Sequence, residues 1–102
     1  METERRMLTR EAILSFLKAQ KQDFAFRYSV SQIGLFGSYI KGTMSEASDI
    51  DILVKLEEPT LDHYMDLKFA LQGQFGKTVD LVLIDPLKPR LAPIITEEVV
   101  YA

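Results

Sequence analysis

The sequence predicts an α/β domain built on a small mixed sheet of three to four strands with about four helices. Segments of helical spacing alternate with segments of period two, in the order α-β-α-β-α-β-α. Residues 49–56, Asp-Ile-Asp-Ile-Leu-Val-Lys-Leu, place Ile50, Ile52, Val54 and Leu56 on one face and Asp49, Asp51, Leu53 and Lys55 on the other. That alternation marks a strand with one buried side. A chain of 102 residues, 47 % hydrophobic and 26 % charged, reads as one domain, residues 1–102.

The first helix begins after Thr9, whose hydroxyl is suited to N-capping, with Glu11 in the first turn. Ile13, Leu14 and Leu17 then recur at helical spacing, and the helix is expected to run to about Lys21–Phe26. Val30 to Phe36 reads as a strand entering Gly37-Ser38. Residues 38–42 read as a short helix closed by Gly42, and 43–48 as a loop. After the strand 49–56, Glu57-Glu58-Pro59 breaks the pattern and Thr60 caps a second long helix. Leu61, Tyr64, Met65, Leu67, Leu71 and Phe75 form its apolar stripe, with Gly73 and Gly76 expected to stop it. Thr78 to Ile84 is the third strand. A last helix is expected from near Pro89 to about Val100, with Pro93 poorly placed inside it.

Composition excludes several chemistries. The chain has no Cys, so thiol catalysis, disulfides and Cys-ligated metals are out, and His63 is its one His. Apolar runs such as Ile52-Leu53-Val54 are far too short to span a bilayer. Residues 1–6 carry acids and no apolar core, unlike a signal peptide, and a cytoplasmic protein is expected. The net charge is −3, with an excess of base confined to residues 1–30 and an acidic middle. A basic stripe for tracking a phosphate backbone is lacking, so direct nucleic-acid binding is not expected.

The chemistry concentrates in Gly37-Ser38 at a strand-to-helix turn, followed after ten intervening residues by Asp49-Ile50-Asp51. A glycine there permits close approach of backbone to a ligand, and Ser38 offers a hydroxyl and an amide suited to phosphate. Two carboxylates two residues apart on a strand share a face, with Cα atoms about 6.6 Å apart. Their oxygens suit a pair of hard cations roughly 3.5–4 Å apart, as in two-metal phosphoryl chemistry. Asp80, flanked by apolar residues, reaches the same place if its strand is adjacent. Any one of these features alone is more often a turn or a solvated strand face. Together, on consecutive strands, they favour a site.

These residues resemble the minimal nucleotidyltransferases of the DNA polymerase β-like superfamily. The likeness is carried by Leu35-Phe36-Gly37-Ser38-Tyr39, by Ser48-Asp49-Ile50-Asp51-Ile52-Leu53-Val54, and by Asp80 within Lys77-Thr78-Val79-Asp80-Leu81-Val82. It extends over nearly the whole chain and implies the polymerase β-like nucleotidyltransferase fold. Members of this kind are commonly the antitoxin of a pair whose toxin is a helical HEPN protein. The resemblance implies transfer of AMP from ATP onto a tyrosine of that toxin, in a hetero-oligomer. It further implies two Mg²⁺ ions held by Asp49, Asp51 and Asp80, and the triphosphate on Gly37 and Ser38. Lys41 would assist the leaving pyrophosphate, standing where the family often has Arg, so a point charge replaces a bidentate fork.

Two other readings belong to different classes: an antitoxin that neutralises by binding alone, and a transferase acting on a small-molecule hydroxyl. A P-loop is rejected, because Thr43 directly follows Gly42 where that motif needs a Lys. Tyr28, Phe36 and Tyr39 are read as core before base-stacking residues, and His63 as a surface or capping residue. Arg5, Arg6 and Arg10 read as a solvated helix start. Val99, Val100 and Tyr101 read as a packed helix end or an apolar docking strip.

Overall fold

The computed structural model describes residues 8–45, 47–84 and 99–102. Helix α1 spans Arg10–Tyr28, and its Thr9 side chain accepts a hydrogen bond from the Ala12 amide, as the cap chemistry requires. It runs slightly past the expected end. Ser29 stops it by taking a left-handed conformation, φ 58°, with its amide donating to the Phe24 carbonyl. Strand β1, Val30–Phe36, leads through Gly37 into the four-residue helix α2, Ser38–Lys41, closed by Gly42. Strand β2 covers Ile50–Leu56, helix α3 Leu61–Phe75 and strand β3 Val79–Leu83.

Two details of the third helix and its surroundings depart from expectation. Gly73 lies inside α3, which ends at Gly76 in a left-handed cap, φ 66°. Burial of Leu71 and Phe75 against the core outweighs the roughly 1 kcal/mol that an interior glycine costs a helix. Val100–Tyr101 is a strand, β4, and not the end of a helix. The expected helix itself, with Pro89 and Pro93, lies outside the described residues, as do Arg5 and Arg6.

The sheet order is β3-β2-β1-β4, with β2 and β3 parallel and both other pairs antiparallel. The two-residue strand β4 is seated by Gly34, since a β-carbon there would lie 2.8 Å from Val99 Cγ1 and 3.0 Å from the Val100 carbonyl. A β-branched and an aromatic residue also suit an extended edge.

Register sorts the side chains into two faces. Ile33 stands opposite Val54 and Leu35 opposite Ile52, on the face that α1 and α3 cover. Ile13, Leu17 and Phe24 of α1 join Leu67 and Leu71 of α3, with Ile50, Val79 and Leu81 from the sheet, in one core. Burial of each large side chain there stabilises by about 1.5–3 kcal/mol. Phe16 bridges the helices edge-on to Phe75, ring centroids 5.4 Å apart. With the apolar positions of β2 turned inward, its acidic positions are left on the opposite face. No helix among the described residues is long and apolar enough to cross a membrane.

Candidate active site

The site forms where β1 ends and β2 and β3 begin. Phe36 of β1 is paired with Asp51 of β2, and Asp51 with Asp80 of β3, so the three lie in one row across the sheet. The parallel pairing of β2 and β3 is what brings Asp80, distant in sequence, to the carboxylates of the Asp-Ile-Asp segment. Asp49 immediately precedes β2 and is exposed, as is Asp80, whereas Asp51 is half-buried.

Gly37 makes this packing possible. Its φ of 77° and ψ of −147° lie in a region essentially reserved for glycine. A β-carbon at Gly37 would overlap the Asp51 carboxylate and lie 2.8 Å from its Cγ. The turn therefore lies flush against the acidic side chain. Its next residue bonds to it: the Ser38 backbone amide donates to the Asp51 carboxylate. The amide expected to face phosphate is engaged in holding Asp51, which leaves the hydroxyl as the donor that the half-buried Ser38 can offer a phosphate. Lys41 is exposed in the last turn of α2, on the same short helix.

The Asp51 carboxyl is pushed above the usual carboxylate range. Burial is the largest cause, followed by the charges of Asp80 and Asp49 and by hydrogen bonding with the Asp80 side chain. The Ser38 amide works in the opposite direction. Like charges crowded at a half-buried position cost free energy when ionised, and a divalent cation removes that cost. The donor set is all carboxylate oxygen, which matches the preference of Mg²⁺ for hard ligands. Among the described residues, however, no three acidic or histidine side chains are already gathered into a metal cage. Asp51 and Asp80 meet directly, while Asp49 is registered on Asp51 through its charge.

Two neighbouring residues carry contacts that the sequence did not announce. The Tyr64 hydroxyl of α3 donates to the Leu81 carbonyl at 2.5 Å, and the Gln72 side-chain oxygen accepts from the Val79 amide at 3.0 Å. The one available signal was chemical: a tyrosine in an apolar stripe has a hydroxyl that needs a partner when covered. Tyr39 is a core residue, 1 % exposed, and so is closed to base stacking. Tyr28 packs on Phe24, ring centroids 5.6 Å apart. His63 serves the helix start, its amide donating to Thr60 Oγ1 and its ring bonded to the Glu58 carbonyl. Arg10 reaches across to the Ile40 carbonyl at 3.3 Å, tying α1 to α2.

A family description of the nucleotidyltransferase domain matches residues 17–102. The protein adenylyltransferase MntA of Thermococcus cleftensis is 45 % identical over 96 residues, covering 93 % of this chain and 97 % of that protein. A Methanocaldococcus jannaschii chain assigned as a protein adenylyltransferase is 34 % identical over 99 residues, covering 93 % and 99 %. Among solved structures, one assigned as a minimal nucleotidyltransferase superposes with a TM-score of 0.63 at 33 % identity, over 85 % of this chain and 93 % of the other. The fold is shared with a chain from a mutant of the MntA–HpeT toxin–antitoxin pair, TM-score 0.67 at 24 % identity, over 92 % and 72 %.

Proposed function

The chain belongs to the nucleotidyltransferase family, and from that premise we propose that it is an antitoxin that adenylylates its toxin. It would move AMP from ATP to a hydroxyl, a tyrosine of a helical HEPN-type toxin, and silence it. The observation that carries this reading is the contact of the Asp51 and Asp80 carboxyls beside the Gly37–Ser38 turn. The name of the Thermococcus relative supports the reaction type. The fold shared with the MntA–HpeT pair makes a toxin the natural acceptor to test.

In this reading Asp49, Asp51 and Asp80 hold two Mg²⁺ ions. When bound there, such ions would supply Lewis acidity to the phosphoryl group and the attacking hydroxyl. The chain's own residues do the rest. Gly37 gives the turn the backbone conformation that sets it against Asp51, and the Ser38 hydroxyl donates to a phosphate oxygen. Ser38 is a ligand and not a nucleophile, since no general base accompanies it. The acceptor oxygen forms a bond to the α-phosphorus in line with the bond to the β-phosphate bridging oxygen, which breaks. Asp80 takes the hydroxyl proton, and Lys41 faces the charge of the departing pyrophosphate. Asp51 holds its position through the Ser38 amide, so its carboxylate and the Gly37–Ser38 turn keep a fixed relation. The need for ATP as donor makes the cytoplasm the compartment of this reading.

The test is incubation of the full chain with the toxin and α-labelled ATP, with the modified residue located by mass spectrometry. Label on a toxin tyrosine that disappears in Asp49→Ala and Asp51→Ala supports the reading. Neutralisation that survives both substitutions without label means binding alone. Label on a small hydroxyl compound without any protein partner means a small-molecule transferase.

A further inference from the structure

Among the described residues strand β3 is the edge of the sheet beyond β2, and an edge strand presents a row of backbone groups that no neighbouring strand pairs. Which groups they are follows from the pairing. The Ile50 amide donates to the Thr78 carbonyl and the Ile84 amide to the Val54 carbonyl. In a parallel ladder alternate residues turn their amide and carbonyl to the same side. Residues 78, 80, 82 and 84 therefore face β2, and Val79 and Leu81 turn theirs outward to the free edge.

On each side of Asp80 one outward backbone group, the Val79 amide and the Leu81 carbonyl, is taken by a side chain of α3. Gln72 Oε1 accepts from the Val79 amide at 3.0 Å, and the Tyr64 hydroxyl donates to the Leu81 carbonyl at 2.5 Å. Residues 64 and 72 are eight apart, which places them on one side of the helix about 12 Å apart along its axis. The helix stands in for a missing strand at this point of the edge, and it fixes the backbone on either side of the one acidic residue of β3. Leu67 and Leu71 anchor the helix itself, both fully buried. The Asp80 charge is also felt at the Tyr64 phenol, so the two groups are near neighbours.

We propose that Tyr64 and Gln72 are positioning residues that clamp the edge of β3 on both sides of Asp80 and so aim the third carboxylate at the reaction. The inference rests on the reading of Asp80 as a metal-holding member of the acidic triad. Their role is exerted through the β3 backbone that they bond. Asp51 sits on β2, which is held by strands on both sides, and Asp49 immediately precedes that strand, so neither needs such a clamp. Asp80 is exposed on an edge and does.

The test uses Tyr64→Phe, Gln72→Leu and the double variant of the full chain, with Gln72→Glu as the variant that keeps an acceptor oxygen. Hydrogen exchange at the Val79 amide reads the clamp directly, without metal, nucleotide or toxin. It is expected to quicken in Gln72→Leu and to be restored in Gln72→Glu. Mn²⁺ binding followed by electron paramagnetic resonance is expected to weaken several-fold in the double variant. Turnover with α-labelled ATP and toxin is expected to fall about ten- to a hundred-fold, as misplacement of a reacting group does, with KM for ATP within two-fold. Wild-type exchange at Val79 in Gln72→Leu, or wild-type Mn²⁺ affinity and turnover in the double variant, overturns the proposal. Asp80→Asn separates the two readings: if it leaves Mn²⁺ binding and label transfer intact, the acidic-triad reading fails. If it abolishes them while the double variant behaves as wild type, the clamp alone fails.

Discussion

Gly37 and Asp51 are packed so closely that the absent β-carbon of one is the space occupied by the carboxylate of the other. Gly37→Ala meets two obstacles: a backbone at φ 77°, ψ −147° that alanine avoids, and a collision with Asp51. The first costs of order 1–3 kcal/mol. The second displaces Asp51 from the Ser38 amide. The expected outcome is a lower urea midpoint with an unchanged denaturant slope, together with loss of nucleotide transfer. Equal stability with equal activity would show that the turn tolerates a side chain and that the close approach has no role.

The Asp51 carboxyl pKa is raised by burial first and then by the neighbouring charges of Asp80 and Asp49. The folded state then binds the Asp51 proton more tightly than the unfolded chain. Its contribution to stability is present below the ordinary carboxylate pKa and is lost as pH rises through the raised value. The metal-free protein is expected to lose that contribution on going from acid toward neutral pH. Asp51→Asn should abolish the dependence and raise the melting temperature at neutral pH while removing activity. Added Mg²⁺ should stabilise the wild type, with a smaller effect on Asp51→Asn. Thermal scans across pH, with and without Mg²⁺, check both signs. A neutral-pH loss of stability in Asp51→Asn would contradict the crowding seen here.

Much of this was legible in the sequence, for identifiable reasons. The strict alternation of Ile50, Ile52, Val54 and Leu56 fixes which face of β2 is buried, and so which face shows Asp51. Thr9 and Thr60 announce their helices because an N-cap hydroxyl is local chemistry, and both make the expected bonds. What could not be read depends on neighbours remote in sequence. Gly73 is a helix breaker by propensity alone and helical here through the packing of its turn. Val100 and Tyr101 become a strand by docking against Gly34, and two residues carry no periodicity of their own. The roles of Tyr64 and Gln72 exist only once β3 is known to be an edge. Asp80 was legible as a candidate from its composition, and its meeting with Asp51 depends on the parallel pairing of β2 and β3.

Tyr39 is 1 % exposed, and its hydroxyl has no hydrogen-bond partner among the described residues. An unmatched buried hydroxyl costs free energy, of order 1–3 kcal/mol, that a phenylalanine ring of the same outline does not incur. Tyr39→Phe is therefore expected to keep or raise stability, by up to about 1 kcal/mol, and to leave transfer unchanged. Urea unfolding and the labelled-ATP assay measure the two. A fall in activity at full stability would mean that the hydroxyl is reserved for a ligand.

His63 tests whether the one histidine belongs to the chemistry or to the frame. Its ring Nδ1 lies 2.8 Å from the Glu58 carbonyl, which can only accept, so Nδ1 carries the proton. Ser29 Oγ completes the junction, accepting from the Glu58 amide at 3.0 Å and standing 3.4 Å from the same ring nitrogen. These bonds join the end of α1 to the turn before α3, at the opposite end of β2 from Asp51. His63→Ala removes the ring bond but leaves the backbone amide on Thr60 Oγ1, so the cap of α3 survives. The expected cost is about 1 kcal/mol of stability, the typical net worth of one hydrogen bond. Turnover and KM for ATP should stay within two-fold of wild type, with no change in the pH profile near the histidine range. If turnover fell by tenfold or more while the urea midpoint held, a histidine that the structure ties to the frame would have to act in proton transfer, and Asp80 would lose its place as the base.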